Sequence, residues 1–249
     1  MATHNRRDSG ATDARADGAA SESSEAIVAK NGTGSLAPVT ARGEATRRRI
    51  LDAAEEVFGE QGYHEASVSE ITRRAGVAQG TFYIYFNSKR ETFVELVEDI
   101  GERLRAATSA AIRDSANRLD AERQGFTAFF RFVYEHRQMY RIVEEAGRVA
   151  PEAAREYYRH ISVGYERGLS AAMRAGQIRE GNVEALAYVL MGIGHFLALR
   201  WLIWPEDQGA EGAYAQDAGV PLSASMLPED VFETVMAFIT RGLAPDSAR

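Results

Sequence analysis

From Ser67 to Glu91 the chain reads S-V-S-E-I-T-R-R-A-G-V-A-Q-G-T-F-Y-I-Y-F-N-S-K-R-E. The spacing predicts two short helices in immediate succession and the opening of a third. Ser67-x-x-Glu70 is a capping box that starts the first. Val68, Ile71 and Ala75 fall on one face of it. Gly76 closes it, and Val77 anchors the turn in the core. The second short helix runs from about Ala78 to Tyr85. Ser88-x-x-Glu91 is another capping box, opening a long helix through Phe93, Leu96, Val97, Ile100 and Leu104. Upstream, from Ala45, Ile50, Ala54, Val57 and Phe58 form one apolar stripe. Gly62 follows the last turn of that helix, where a left-handed residue is expected.

A short helix braced by another across a glycine turn is the geometry that holds a helix in the major groove of B-DNA. There the base pairs show distinct donor and acceptor patterns. Gln79 suits paired hydrogen bonds to adenine, and Thr81 offers a hydroxyl and a methyl. Tyr83, Tyr85 and Lys89 suit phosphates. Ser67 stands at a helix N-terminus, where backbone N–H groups favour an anion. Arg47, Arg48 and Arg49 lie in the first turn of the first helix, within reach of the flanking backbone; Arg47 stands for them in the expected contact set. For Arg73, Arg74 and that triplet, phosphate contact and a solvated face stay open alternatives. Tyr83 and Tyr85 could also be core residues, and Phe82 and Phe86 are read as core.

The run A-G-V-A-Q-G-T-F-Y-I-Y-F-N-S-K, Ala75 to Lys89, resembles the signature of the TetR family of bacterial transcriptional regulators. The preceding I-L-D-A-A-E-E-V-F-G-E-Q-G-Y, Ile50 to Tyr63, is similar to that family's first helix. The resemblance covers residues 45 to 95 and not the C-terminal part. It implies an all-α homodimer, with a three-helix DNA domain and a C-terminal ligand-binding and dimerisation bundle. It further implies a repressor that a small ligand releases from a palindromic operator. Ser67, Ser69, Gln79, Thr81, Tyr83, Tyr85 and Lys89 match positions that touch DNA in the family. Gly80 matches a position often held by glycine or proline. Ile84 departs from the polar or aromatic residue that many members carry.

The net charge of −7 is distributed unevenly. Thr40 to Arg90 holds eight basic and seven acidic residues, and the segment before it four and five. The remainder carries −7, so the acidity belongs to the C-terminal part. Phosphate binding depends on local charge. Cysteine is absent, which excludes disulfides, thiolate catalysis and cysteine-bound zinc. No signal-peptide core and no uninterrupted apolar run of membrane length are present, which predicts a cytoplasmic protein without a membrane partner. No nucleophile–base pattern, phosphate loop or metal-ligand spacing appears, so no catalytic residue, cofactor or metal is expected.

Three regions follow. Residues 1–40 are rich in small and polar residues and are read as a disordered tail; the other reading, against which its acids stand, is an arm tracking DNA through Arg6, Arg7 and Arg15. Residues 41–90 are the helix-turn-helix domain, and 91–249 a helical ligand-binding and dimerisation domain. In the last, helices are expected near 87–114, 120–146, 151–175, 183–204 and 229–242, with a long loop over 206–228. No alternating strand pattern is found. Aromatic residues crowd 120–175. Ordinary bundle core is one reading; a pocket for a hydrophobic ligand, such as an acyl thioester, a fatty acid or an aromatic drug, is the other. The pocket reading assigns Phe126, Phe130, Tyr134, Met139, Tyr140, Tyr158 and Tyr165. The helix from Val183 is apolar nearly all round, and its Gly192 and Gly194 suggest close helix approach. With the last helix it predicts a dimer interface through Leu190, Ile193, Leu197, Trp201, Val235 and Phe238, unless it is the central helix of a monomer. The competing functional reading is a small-molecule-binding or scaffolding protein whose helix-turn-helix does not read DNA sequence.

Overall fold

The structure, a computed structural model, describes residues 28–30, 36–38, 40–204 and 223–245. Nine α-helices make up nearly all of these described residues. Three form the N-terminal head: α1 (Ala41–Glu65), α2 (Val68–Ala75) and α3 (Gln79–Tyr85). The rest are α4 (Lys89–Ile112), α5 (Arg118–Glu135), α6 (Arg137–Val149), α7 (Pro151–Arg174), α8 (Val183–Ala198) and α9 (Glu229–Leu243). A π-helical turn, Leu199–Ile203, prolongs α8.

Sequence signals set most of the boundaries. Thr40 caps α1, Ser67 caps α2, Ser88 caps α4, Asn117 caps α5 and Asn182 caps α8, each accepting a backbone N–H of its first turn. The two capping boxes are only half reciprocal. Glu91 turns back to the Asn87 N–H at 2.7 Å, whereas Glu70 spends its carboxylate on Arg73 and Arg74. Pro151 opens α7, where its missing N–H costs nothing. Gly76 closes α2 in the left-handed region, at φ 64° and ψ 38°, and Val77 N–H bonds back to Thr72 O at 3.1 Å. Gly62 takes φ 75° and ψ 167°, a region open essentially to glycine alone, and bends the end of α1 sharply.

Three expectations are corrected. α1 begins at Ala41 rather than near Ala45. The single helix expected over 120–146 breaks at His136, which has φ −129° and ψ 49°. The cause is that two stripes on it need different cores. Phe126, Phe130 and Val133 belong to the C-terminal core, and Met139, Ile142, Val143 and Ala146 to the core of the head. One straight helix cannot turn both inward. A short antiparallel ribbon, β1 (Val28–Lys30) with β2 (Leu36–Pro38), pairs Ala29 with Ala37 inside the segment read as structureless. The rest of that segment, Arg6, Arg7 and Arg15 included, and most of the expected 206–228 loop lie outside the described residues.

Two apolar cores result. The first joins Ile50, Phe58, Ile71, Phe82, Phe86 and Phe93 of the head and α4 to the α6 stripe. Its rings meet edge to face, Phe58 on Phe93 at 5.2 Å. The second joins α5, α7, α8 and α9 around Phe130, Leu169, Leu190, Leu202 and Met236. Gly194 lets α5 approach α8: a Cβ there would meet Phe129 at 3.3 Å and Phe126 at 3.4 Å.

Candidate nucleic-acid interface and cavity

α3 presents Gln79, Gly80, Tyr83 and Ile84 to solvent, with Tyr83 50% and Ile84 47% exposed. Thr81 and Tyr85 are half-buried, and Tyr85 packs against the core of the head. On the adjoining edge of α2, Ser67 and Ser69 are exposed. Phe82 on the opposite side of α3 is fully buried, which fixes the face that the helix shows. The exposed set is uncharged and hydrogen-bonding or apolar, a composition that suits base edges.

The cations around it are mostly engaged inside the head. The Lys89 ammonium donates to Tyr63 O and Ala66 O at 2.7 Å each and to His64 O at 3.3 Å, and lies 4.4 Å over the Tyr63 ring. Its three N–H bonds are thereby used, and it caps the end of α1, where a cation is favoured. The expectation that Lys89 reaches phosphate meets a residue that staples α1 to α4. Arg47 pairs with Glu95 on α4, its guanidinium 5.6 Å over Phe86. Arg48 donates to Asp99 at 2.7 Å and to Asp52 at 2.8 Å. Of the triplet only Arg49 is exposed, as is Arg42, which sequence reasoning passed over. Arg74 joins Glu60 of α1 at 2.5 Å to Glu70 of α2 at 3.0 Å, so it is a brace. Arg73 is largely exposed but holds Glu70 through two nitrogens. Hydrogen bonds from Arg73 and Arg74 hold the Glu70 carboxyl down at about 2.

A cavity of about 200 Å³ opens in the C-terminal bundle between α4, α5, α6, α7 and α8. Of the predicted residues it brings together Phe126, Tyr140, Tyr158 and Tyr165. Phe130 is buried in the core behind them, Met139 in the core of the head, and Tyr134 packs on the second core beneath Arg137. Sequence reasoning missed Leu104 and Arg105 of α4, Arg118, Glu122 and Phe129 of α5, Tyr157 and Ile161 of α7, and Met191 and His195 of α8. It assigned Leu190 to a subunit interface, yet that side chain is buried and lines the cavity. The Tyr140 hydroxyl meets His195 Nδ1 at 2.7 Å, and His195 Nε2 lies 3.7 Å from Glu144. Burial pushes the hydroxyls of Tyr140, Tyr157 and Tyr165 upward, and that of Tyr158 to about 12, so all four stay protonated at neutral pH. Among the described residues no cluster of metal-binding side chains occurs.

Residues 50–96 match the model of the bacterial regulatory proteins of the tetR family. The chain is 30% identical over 167 residues to YdgC, an uncharacterised helix-turn-helix transcriptional regulator of Bacillus subtilis, which covers 65% of this chain and 84% of YdgC. It is 34% identical over 99 residues to the transcriptional activator FasR of Mycolicibacterium smegmatis, covering 40% of this chain and 45% of FasR. Among solved structures it shares the fold of the transcriptional regulator FadR of Bacillus subtilis in complex with stearoyl-CoA. There the TM-score is 0.63 at 21% identity, over 78% of this chain and 98% of that one. A putative TetR-family regulator of Syntrophomonas wolfei gives a TM-score of 0.64 at 17% identity, over 80% and 95% of the two chains. With the exposed reading face of α3, the brace of α2 behind it and a relative matched over most of its length, the chain belongs to the TetR family of bacterial regulators and is a DNA-binding transcriptional regulator.

Proposed function

We propose that the chain is a homodimeric repressor that holds a palindromic operator and lets go when a small hydrophobic ligand fills the bundle cavity. Gln79, Gly80, Thr81 and Tyr83 meet the bases. Ser67, Ser69, Tyr85 and Arg49 meet the backbone, while Arg47 and Lys89 keep the head in shape. A protein that reads chromosomal DNA in this way works in the cytoplasm.

One observation carries the coupling. α6 lies between the two cores, with Met139, Ile142, Val143 and Ala146 in the core of the head. One residue along, Tyr140 is at the cavity wall, bonded to His195 of α8. Glu145 of the same helix accepts the Tyr63 N–H at 2.9 Å, at the end of α1. A ligand that displaces Tyr140 therefore turns a helix on which the reading head is packed, and differential affinity for the two arrangements is what release requires.

Dimerisation rests on α8 and α9. Tyr188, Val189 and Phe196 form an exposed stripe on α8, and Phe238 of α9 is 68% exposed. Among the described residues α8 with its π-turn is the one helix long and apolar enough to cross a membrane, and its inward half is already used by the second core. The remaining stripe suits a second subunit. It shares Phe238 with the set expected from sequence, in which Ile193, Leu197, Trp201 and Val235 are half-buried against their own bundle. Two heads are also what specificity needs, because one recognition helix reads few base pairs.

The apolar cavity walls support a fatty-acyl ligand, as do two similar proteins: a fatty acid metabolism regulator of Bacillus subtilis, 47% identical over 51 residues, and FadR, solved in complex with stearoyl-CoA. The test is to load immobilised protein with fragmented genomic DNA and wash it with acyl compounds. Elution of specific fragments by an acyl ligand, from a protein that scatters light as a dimer, is expected. A monomer, or fragments that no acyl compound moves, contradicts the proposal.

A further inference from the structure

Two hollows meet around Arg118. Beside the cavity lies a second hollow of about 360 Å³, between the end of α4, the start of α5 and the end of α7. Arg118, Ile112 and Ala121 line both. Arg118 stands at the junction because Gly168 of α7 leaves it room: a Cβ at 168 would lie 2.3 Å from Nη1. The guanidinium lies 5.6 Å over the Tyr165 ring, and its Nη2 pairs with the buried carboxylate of Glu122 one turn along α5.

The junction is rich in unsatisfied donors. Arg118 Nε and Ser115 Oγ are both buried without a hydrogen-bond partner among the described residues. Buried polar atoms in folded proteins are nearly always paired, and the two residues that carry these orphans both line the second hollow. The charges agree. The cavity lining carries Arg105 and Arg118 against the single carboxylate of Glu122. Burial pushes the Glu122 carboxyl upward, with Arg118 opposing, so that carboxylate is the weaker competitor for a fork that holds planar anions best. Beyond the junction the walls turn apolar, at Phe126, Phe129, Ile161 and Leu190.

We propose that Arg118, with Ser115, receives the head group of the ligand, and that the ligand is a free carboxylic acid with an apolar tail. The proposal rests on the cavity being the ligand site. The tail lies in the cavity, the carboxylate sits at the junction, and the second hollow is the way in. A thioester would bring an uncharged carbonyl to the same place and forgo the guanidinium.

Calorimetric titration of the full chain with decanoate, methyl decanoate and decanoyl-CoA tests this. The acid should bind at least about tenfold tighter than ester or thioester, the margin of one charge-assisted hydrogen bond. Arg118→Met should lower acid affinity by that factor and leave the ester unchanged, which also shows that the variant folds. Arg118→Lys keeps the charge but loses the Nε–H and should restore only part of the preference. Equal binding of acid and ester, a tighter thioester, or a preference that survives Arg118→Met overturns the head-group assignment and leaves the cavity standing as a ligand site. Failure of all three compounds to bind removes the fatty-acyl cavity reading and this proposal together.

Discussion

Gly80 stands on the exposed face of α3 with nothing within 4 Å of where a Cβ would be. The protein itself therefore has no use for a glycine there, and glycine costs about 0.8–1.0 kcal/mol against alanine inside a helix. Gly80→Ala should raise stability by about that much in chemical denaturation, and weaken DNA binding if the backbone of α3 approaches the duplex closely. Unchanged DNA affinity would remove Gly80 from the interface. Lys89 behaves in the opposite sense. Because its ammonium caps three carbonyls at the end of α1, Lys89→Met should destabilise the head by about 1.5–3 kcal/mol, the range for hydrogen bonds to a charged group. Gln79→Ala, exposed and unburdened by packing, should melt like the parent and lose preference at one base-pair position, read by binding to a randomised operator library. Equal losses on specific and random DNA would sink that assignment. These residues differ in how far sequence revealed them. The position of Gln79 and Gly80 at the exposed start of α3 was legible from the glycine turn before them. The inward use of Lys89 and Arg47 was not, because their acceptors lie 23 or more positions away in the chain.

Helices announced by local chemistry were read well, and those shaped by distant packing less so. Ser67 and Ser88 cap their helices, and Gly76 turns α2 into α3, as residue type alone suggests, whereas the caps Thr40, Asn117 and Asn182 were passed over. The break at His136 has no glycine or proline to mark it, since it comes from two cores pulling on two stripes. The ribbon of β1 and β2 pairs two short apolar runs on either side of residues 31–35, a pattern that the polar composition of the tail concealed. The clamp of α1 on α2 makes a prediction of its own. The Glu70 carboxyl is depressed to about 2 by Arg73 and Arg74, so whatever it contributes is present above the ordinary carboxylate pKa and lost as pH falls from about 4.5 towards 2. Carbon-detected NMR titration should show Glu70 still ionised at pH 3.5; protonation near 4.5 would mean that the clamp is open in solution.

At the scale of the whole molecule the cavity was half visible. Its α5, α6 and α7 aromatics lie in one aromatic-rich stretch, whereas Arg105, Leu190, Met191 and His195 come from α4 and α8 and are brought in only by the fold. An all-round apolar helix does not say which side its own bundle covers: Leu190 of the expected subunit set is buried in the bundle, whereas Tyr188, Val189, Phe196 and Phe238 are exposed. Phe196→Asp with Phe238→Asp should give folded monomers with an unchanged circular dichroism spectrum and much weaker DNA binding, measured by analytical ultracentrifugation and gel shift. A variant still dimeric would place the interface elsewhere. The most direct measurement of the account as a whole is sequencing of genomic fragments captured by the purified protein at moderate salt, alongside the Gln79→Ala variant. A dimer that reads DNA through α3 should give a few sharp peaks that share a two-fold symmetric sequence, with one symmetric pair of positions blurred in the variant. Diffuse recovery, indistinguishable between the two proteins, would contradict it.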